Sequence, residues 1–178
     1  TFQSQVDSAI QNLDTVSVNI NYSNMSKSVL DQKFDLNISD EMLSAMSDLF
    51  ISLSGTELKA DQVNLYDFSG YVLQAGLSTM VKKSDDSHNE WIQKAREANG
   101  KKVLTAPYST YVYSKSARYP QWFISLYRSF TNQYGRGVGV IETAKQCKSI
   151  FKSIISYEKK TADPDFLSPG CPNQQSFY

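Results

Sequence analysis

Histidine occurs once and cysteine twice in the 178 residues, and that scarcity removes most of the chemistry a chain of this size can carry. His88 lies in a polar loop beside Asp85 and Asp86. Those three could ligate a metal, but a capping or solvent-exposed loop is the stronger reading. Gly76-Leu77-Ser78-Thr79-Met80 lacks the second glycine of a nucleophile elbow. Cys147 and Cys171 stand outside any C-x-x-C spacing. As an exported pair they could close a loop of about 25 residues, worth roughly 3 kcal/mol; Cys147 on an apolar helix face reads equally as a buried free thiol. No cofactor is implied.

Charge of one sign is also lacking. Eighteen basic residues balance 18 acidic ones, so no basic face for nucleic acid is expected. No apolar run reaches the 18 residues of a membrane-crossing helix, and no charged-then-apolar leader opens the chain. Thr1 falls inside a helical pattern and Tyr178 where a strand would begin, so the chain reads as a piece of a longer protein. Gly135-Arg136-Gly137-Val138-Gly139 lacks the Gly-Lys-Ser/Thr end of a phosphate loop and fits a hairpin turn better.

Glycine and proline are missing from the first 54 residues, which leaves room for long helices. Phe2, Val6, Ile10, Leu13, Val16, Ile20 and Val29-Leu30 recur at spacings of three and four, predicting an amphipathic helix over 1–34. The stretch Val16 to Tyr22 dissents, alternating with period two as a strand would. A second helix is expected from Ser39 as N-cap to Gly55, with Asp40 and Glu41 in its first turn and Met42, Met46, Leu49-Phe50 and Leu53 as its apolar stripe.

From Gln62 the period becomes two. Val63 and Leu65 face one way, Asn64, Tyr66 and Phe68 the other, and Ser69-Gly70 turns the chain into Tyr71–Leu77. Gly76 inside that strand signals a bulge or a close backbone approach. A polar loop over 82–88 precedes a short helix that bears Trp91, capped by Ser87 or Asn89 and closed by Gly100. Lys101–Tyr108 is expected as a strand that Pro107 confines to an edge, followed by a Tyr- and Ser-rich excursion to Arg118. Tyr119–Phe130 is the longest strand candidate. Trp122, Ile124, Leu126, Arg128 and Phe130 share one of its faces, and Phe123, Ser125, Tyr127 and Ser129 the other. Arg128 on an apolar face needs an acceptor if it is buried. Gly137–Glu142 returns as the last strand, Ala144–Tyr157 forms a helix, and Thr161–Gln174 is a linker. Eleven Tyr, nine Phe and two Trp suit a sheet-rich core or a surface that binds carbohydrate or amines.

The order Trp91 and Ala95 on a helix, Gly100, Ala106-Pro107-Tyr108, a long strand ending near Phe130, then Gly135-x-x-x-Gly139-Val140-Ile141 resembles the Cache family of extracellular sensor domains. The likeness covers residues 1 to about 157 and looks most like the membrane-distal part of the double-Cache module in YesM-type sensor histidine kinases. It implies an α+β fold: a PAS-like antiparallel sheet flanked by a long N-terminal helix and shorter helices. Residues 1–157 would form the membrane-distal domain, with the helix over 1–34 and the sheet core over 62–142. Residues 158–178 would form a linker and the start of a membrane-proximal subdomain.

The family's pocket lies between the Trp-bearing helix, the loop after the Pro-Tyr strand and the facing side of the sheet. By resemblance, Trp91, Tyr108, Tyr111, Trp122, Tyr127 and Arg128 are the candidate ligand-binding residues. Amino-acid-binding members place an Arg shortly before this Trp; here Ser87-His88-Asn89-Glu90 contains none. The expected ligand is therefore a sugar or other small solute, or none binds directly. The implied protein is a homodimeric, membrane-bound bacterial histidine kinase, held in the membrane by flanking helices. This part of it would be extracellular and not itself catalytic, with Phe2, Val6, Ile10 and Leu13 as the dimer seam. A chemoreceptor, a cyclic-nucleotide enzyme or a secreted carbohydrate-binding protein are the alternative settings.

Overall fold

A computed structural model describes residues 2–24, 39–54, 59–77, 79–113, 118–131, 134 and 136–152. Two helices, α1 (Phe2–Tyr22) and α2 (Asp40–Ser54), precede the sheet. The dissenting stretch of α1 is helical. Val16 and Ile20, four residues apart, are both buried while Asn19 is exposed; a strand would have placed Val18 in line with them. The part of the expected first helix over 25–34 lies outside the described residues. At the start of α2, Ser39 Oγ accepts from the Met42 N–H at 3.3 Å, the expected cap. Met46 and Phe50 enter the core one turn apart.

The sheet strands are β1 (Gln62–Asp67), β2 (Tyr71–Gly76), β3 (Met80–Lys83), β4 (Val103–Leu104), β5 (Tyr108–Tyr113), β6 (Arg118–Thr131) and β7 (Gly137–Gln146). They run in the order β3-β2-β1-β7-β6-β4, with β5 also paired to β6, and the pairs are antiparallel. Between β3 and β4 come a 3₁₀ turn (Asp86–His88) and helix α3 (Asn89–Glu97). A short helix, α4 (Cys147–Ile150), follows β7. The fold is thus the expected α+β arrangement, an antiparallel sheet with an N-terminal helix and further helices.

Period-two alternation gives the sheet two unlike faces. Val63, Leu65, Leu73, Leu126, Phe130 and Ile141 face α1 and α2, meeting Leu13, Val16, Ile20, Met46 and Phe50 in the main core. The other face carries Tyr66, Val72, Tyr127 and Val140 under Trp91, Ile92 and Ala95 of α3. Each fully buried aliphatic of the first face contributes roughly 1.5–3 kcal/mol.

Several expectations need correction. The segment 101–108 is not one strand: β4 ends at Leu104, and Thr105 to Pro107 separate it from β5. Across that break Ser125 N–H donates to Thr105 Oγ1 at 3.0 Å and Thr105 N–H to the Ser125 carbonyl at 2.9 Å, so the ladder bends without losing its bonds. The Tyr- and Ser-rich stretch is strand β5, paired to β6 from Tyr108↔Phe123 to Tyr113↔Arg118. Pro120 is tolerated in β6 because pairing with β7 begins only at Phe123. Lys82 and Lys83 belong to β3, paired with β2. Ala144, Lys145 and Gln146 are strand, since pairing to β1 and β6 overrides their helix propensity. Asp61 reinforces that end, accepting from Gln146 N–H at 2.8 Å and pairing with Lys145 at 3.3 Å. Ser87 and Asn89 do not cap α3; His88 holds the N-cap position without a side-chain cap bond, and Asp85 accepts from Ser87 N–H instead.

Two of the four residues expected at the dimer seam on α1 are engaged within the fold. Leu13 is fully buried in the main core, and Val6 packs against Ile124, Cys147 and Ile150. The outer face of the helix presents Gln3, Asp7, Gln11, Thr15 and Asn19.

Candidate functional site

Glu142 lies at the centre of the second face, 1% exposed. It follows Val140 by two residues on β7, so alternation turns it toward α3 and not toward the main core. A carboxylate in that position needs donors for each oxygen, and three strands supply them. Asn64, through Nδ2, and the Tyr66 hydroxyl, both on β1, donate to Oε2 at 2.8 and 2.6 Å. Tyr108 on β5 and Ser125 on β6 donate to Oε1 at 2.9 and 2.8 Å. The Asn64 amide is itself oriented, because its oxygen accepts from Gln62 at 3.1 Å and Gln74 at 3.3 Å. Its NH₂ group is thereby turned toward Glu142.

Aromatic rings wall this carboxylate. Tyr66 and Tyr127 stack at 6.4 Å between centroids, and Trp91 stacks on Tyr127 at 6.4 Å. His88 stands at the mouth with Nδ1 2.6 Å from the Tyr127 hydroxyl and 3.8 Å from Glu142 Oε2. Its ring lies 5.7 to 6.3 Å from those of Tyr66, Tyr108 and Tyr127. Beside it is a cleft of about 20 Å³ lined by Tyr66, Gln74, Lys82, Asp85 and His88 among others, room for about one water.

The electrostatics follow from burial and this donor set. Burial alone would raise the Glu142 pKa, but the His88 charge and the bonds from Tyr66, Asn64 and Ser125 outweigh it, and the carboxyl lies below its ordinary 4.5. Burial and the Glu142 charge push the phenols of Tyr66, Tyr108 and Tyr127 well above the usual range. The site is therefore an ionised carboxylate in a ring of neutral phenols.

The structure brings together three of the six residues expected at a site. Tyr108 and Tyr127 touch the cluster, and Trp91 packs behind Tyr127 with the Lys94 ammonium 4.5 Å from its ring centre. Trp122 and Tyr111 are each 52% exposed and stand on the other face of the β5–β6 ladder. Arg128 also faces away, toward α1. Cys147 is buried at the start of α4, while Cys171 and its pairing lie outside the described residues. Glu142, Asn64, Tyr66, Ser125 and His88 were missed as site residues. His88 in particular is not a solvent-exposed loop residue, since its side chain is only 19% exposed. Among the described residues no group of three metal-ligating side chains is assembled.

The arrangement of helix, curled antiparallel sheet and covering helices is that of Cache-type, PAS-like sensory domains. Among solved structures, the chain is similar to the extracellular domain of vpHK1S-Z8, a protein assigned as a histidine kinase. That match has a TM-score of 0.60 at 12% identity, over 85% of this chain and 55% of that one. It is also similar to the ligand-binding domain of the Pseudomonas aeruginosa amino acid chemoreceptor PctC in complex with GABA (TM-score 0.52, 11% identity, 84% of this chain and 59% of that one). A third is the ligand-binding domain of the Campylobacter jejuni chemoreceptor Tlp3 with 4-methylisoleucine (TM-score 0.50, 16% identity, 93% of this chain and 73% of that one). No protein-family model matches the chain. No curated protein matches it either.

Proposed function

We propose that this chain is the extracellular ligand-sensing domain of a bacterial membrane receptor, and that its ligand is a small solute carrying an ammonium group. The observation that carries the reading is the ionised, fully buried Glu142 walled by Tyr66, Tyr108 and Tyr127, with Trp91 packed behind Tyr127. Such a site offers negative charge and aromatic faces together, the combination that attracts an organic cation. The two chemoreceptor domains named above hold amine-bearing compounds, which supports the choice of an amine over the sugar expected from sequence. The lack of an Arg before Trp91 argues against a clamp for a ligand carboxylate.

In this reading α3 and residues 84–88 cover the ligand, and α1 carries the response toward the membrane. A ligand shifts that equilibrium only by its differential affinity for the two states. A histidine kinase output fits the likeness to vpHK1S-Z8, and a homodimer is the working unit. Because the inner face of α1 is buried, its polar outer face is the helix surface left for contact between subunits. The adjoining cytoplasmic segment tests the output: a methyl-accepting helical region would make the receptor a chemoreceptor and overturn the kinase assignment.

The ligand class is tested by thermal shift against aliphatic amines, neutral analogues of the same size, and sugars. An amine present at 100 times its Kd should raise Tm by about 5–10 °C, and Glu142→Gln should remove the shift. Stabilisation by sugars or neutral analogues but by no amine would sink the assignment.

A further inference from the structure

His88 occupies the place an ammonium ligand would take. Its ring sits between the phenol rings of Tyr66, Tyr108 and Tyr127, Nδ1 is held by the Tyr127 hydroxyl, and Glu142 Oε2 is 3.8 Å away. That last distance exceeds a hydrogen bond, so a protonated His88 ring would attract the carboxylate by charge without a direct bond. The remaining cleft of about 20 Å³ has no room for a solute larger than water. For a larger solute to reach Glu142 from this cleft, the His88 ring would have to leave.

The local backbone favours that departure. His88 ends a single 3₁₀ turn and begins α3 at an N-cap position that makes no side-chain cap bond, so no capping bond opposes its movement. Ser84, Asp85 and Ser87 bond among themselves, which keeps the turn intact while the ring swings.

Building on the ammonium-ligand reading, we infer that the His88 imidazolium is a built-in competitor for the ligand's ammonium group, making this residue a gate that sets affinity and ties it to pH. The groups that face it are Glu142 from β7, Tyr66 from β1, Tyr108 from β5, Tyr127 from β6, Lys82 from β3 and Asp85 from the preceding loop; Asp86 shares its own turn. Among these side-chain types, histidine is the one that changes charge between pH 5 and 8. Protonated His88 holds the carboxylate; neutral His88 competes only by volume. Affinity for a ligand that stays cationic therefore rises with pH across that window.

The test is isothermal titration of the wild-type chain and His88→Gln with the best aliphatic amine of the panel, at pH 5.5 and pH 8. Glutamine keeps a bond to Tyr127 but no charge, and His88→Ala serves as a second variant that also empties the space. Wild-type affinity should rise roughly tenfold between the two pH values, while His88→Gln stays level and binds more tightly than wild type at pH 5.5. Amine binding that loses strength in both variants, or that keeps the wild-type pH dependence in them, overturns the gate and leaves the ligand class standing. No amine binding in any of the three proteins overturns the ligand class and the gate together.

Discussion

Arg128 on β6 grips Asp14 on α1, with Nη2 on the carboxylate Oδ1. The same guanidinium donates from Nε to Ser17 Oγ at 3.1 Å and from Nη1 to the carbonyl of Gly100. Gly100 ends the turn that closes α3, and its N–H donates to Ser129 Oγ at 2.7 Å on the opposite face of β6. One side chain thus bonds the helix that would carry the response and the turn behind the helix that covers the candidate site. Arg128 answers its sequence signal, since at 14% side-chain exposure it has found the acceptors that a guanidinium on an apolar face requires.

Replacing Arg128 by Met keeps the stem and removes these bonds. The expected loss is about 2 kcal/mol of stability, read as a lower urea midpoint with unchanged slope. Lys should recover part of it at most, because a point charge cannot serve Asp14, Ser17 and the Gly100 carbonyl at once. Hydrogen exchange separates the coupling role from simple stability. Trp91→Ala loosens α3 and should raise exchange in α1, and it should do so less when Arg128 is already Met. Equal effects in both backgrounds would mean that α3 and α1 are not linked through this residue.

Gly76 ends β2 at φ +123°, and a Cβ there would run into the carbonyl oxygen of Asp61 and lie 3.0 Å from Gln62 Cα. Both the backbone angle and the space exclude a side chain. Gly76→Ala should therefore cost about 3 kcal/mol by prising β2 from β1, whereas Gly70→Ala, with nothing within 4 Å of its Cβ position, should cost only the strain of its positive φ, about 1 kcal/mol. Thermal unfolding of the two variants side by side checks the difference.

Gly76, the Ser39 cap and the unlike faces of β1 and β6 were legible because each is a local signal: an excluded side chain, a first-turn donor, a two-residue period. The Glu142 site was not, because the carboxylate sits on β7 while its donors come from β1, β5 and β6, and they meet only when the sheet is assembled. Parts of it were visible singly. Asn64 and Tyr66 oppose Val63 and Leu65, and Ser125 and Tyr127 oppose Ile124 and Leu126, which marks one polar face on each strand. Ending the last strand at Glu142 hid the rest. Once β7 continues to Gln146, alternation places Glu142 on that same face, where a carboxylate requires partners. His88 reads as a loop residue for a related reason: a polar neighbourhood in sequence says nothing about which buried charge lies across the fold.

The burial of α1 distinguishes a core helix from a dimer seam. Leu13 is fully buried beside Leu126 and Ile141, and Thr143 Oγ1 donates to the Leu13 carbonyl at 3.1 Å. Leu13→Ala should cost about 3 kcal/mol at any protein concentration, with no change in sedimentation of the folded form. Gln11, exposed on the outer face, should tolerate Ala within about 0.5 kcal/mol. A Leu13→Ala midpoint that depends on concentration would restore the seam.

Glu142 is expected to contribute to the acid response of the domain. Its folded pKa lies below the ordinary 4.5, so near and below that value the unfolded chain binds more protons than the folded one. Stability therefore rises with pH through this window. The contribution is fully present above about pH 4.5 and is lost as pH falls through the folded pKa. Glu142→Gln removes that segment of the profile. The amide also turns an NH₂ toward one pair of donors, either Asn64 and Tyr66 or Tyr108 and Ser125, leaving them without an acceptor. At neutral pH the variant should be less stable by about 2 kcal/mol, and its stability should vary less than that of the wild type between pH 5 and pH 3. Urea unfolding at several pH values reads both effects. A variant that matches the wild-type slope below pH 5 would show that other carboxylates, not Glu142, govern the acid response.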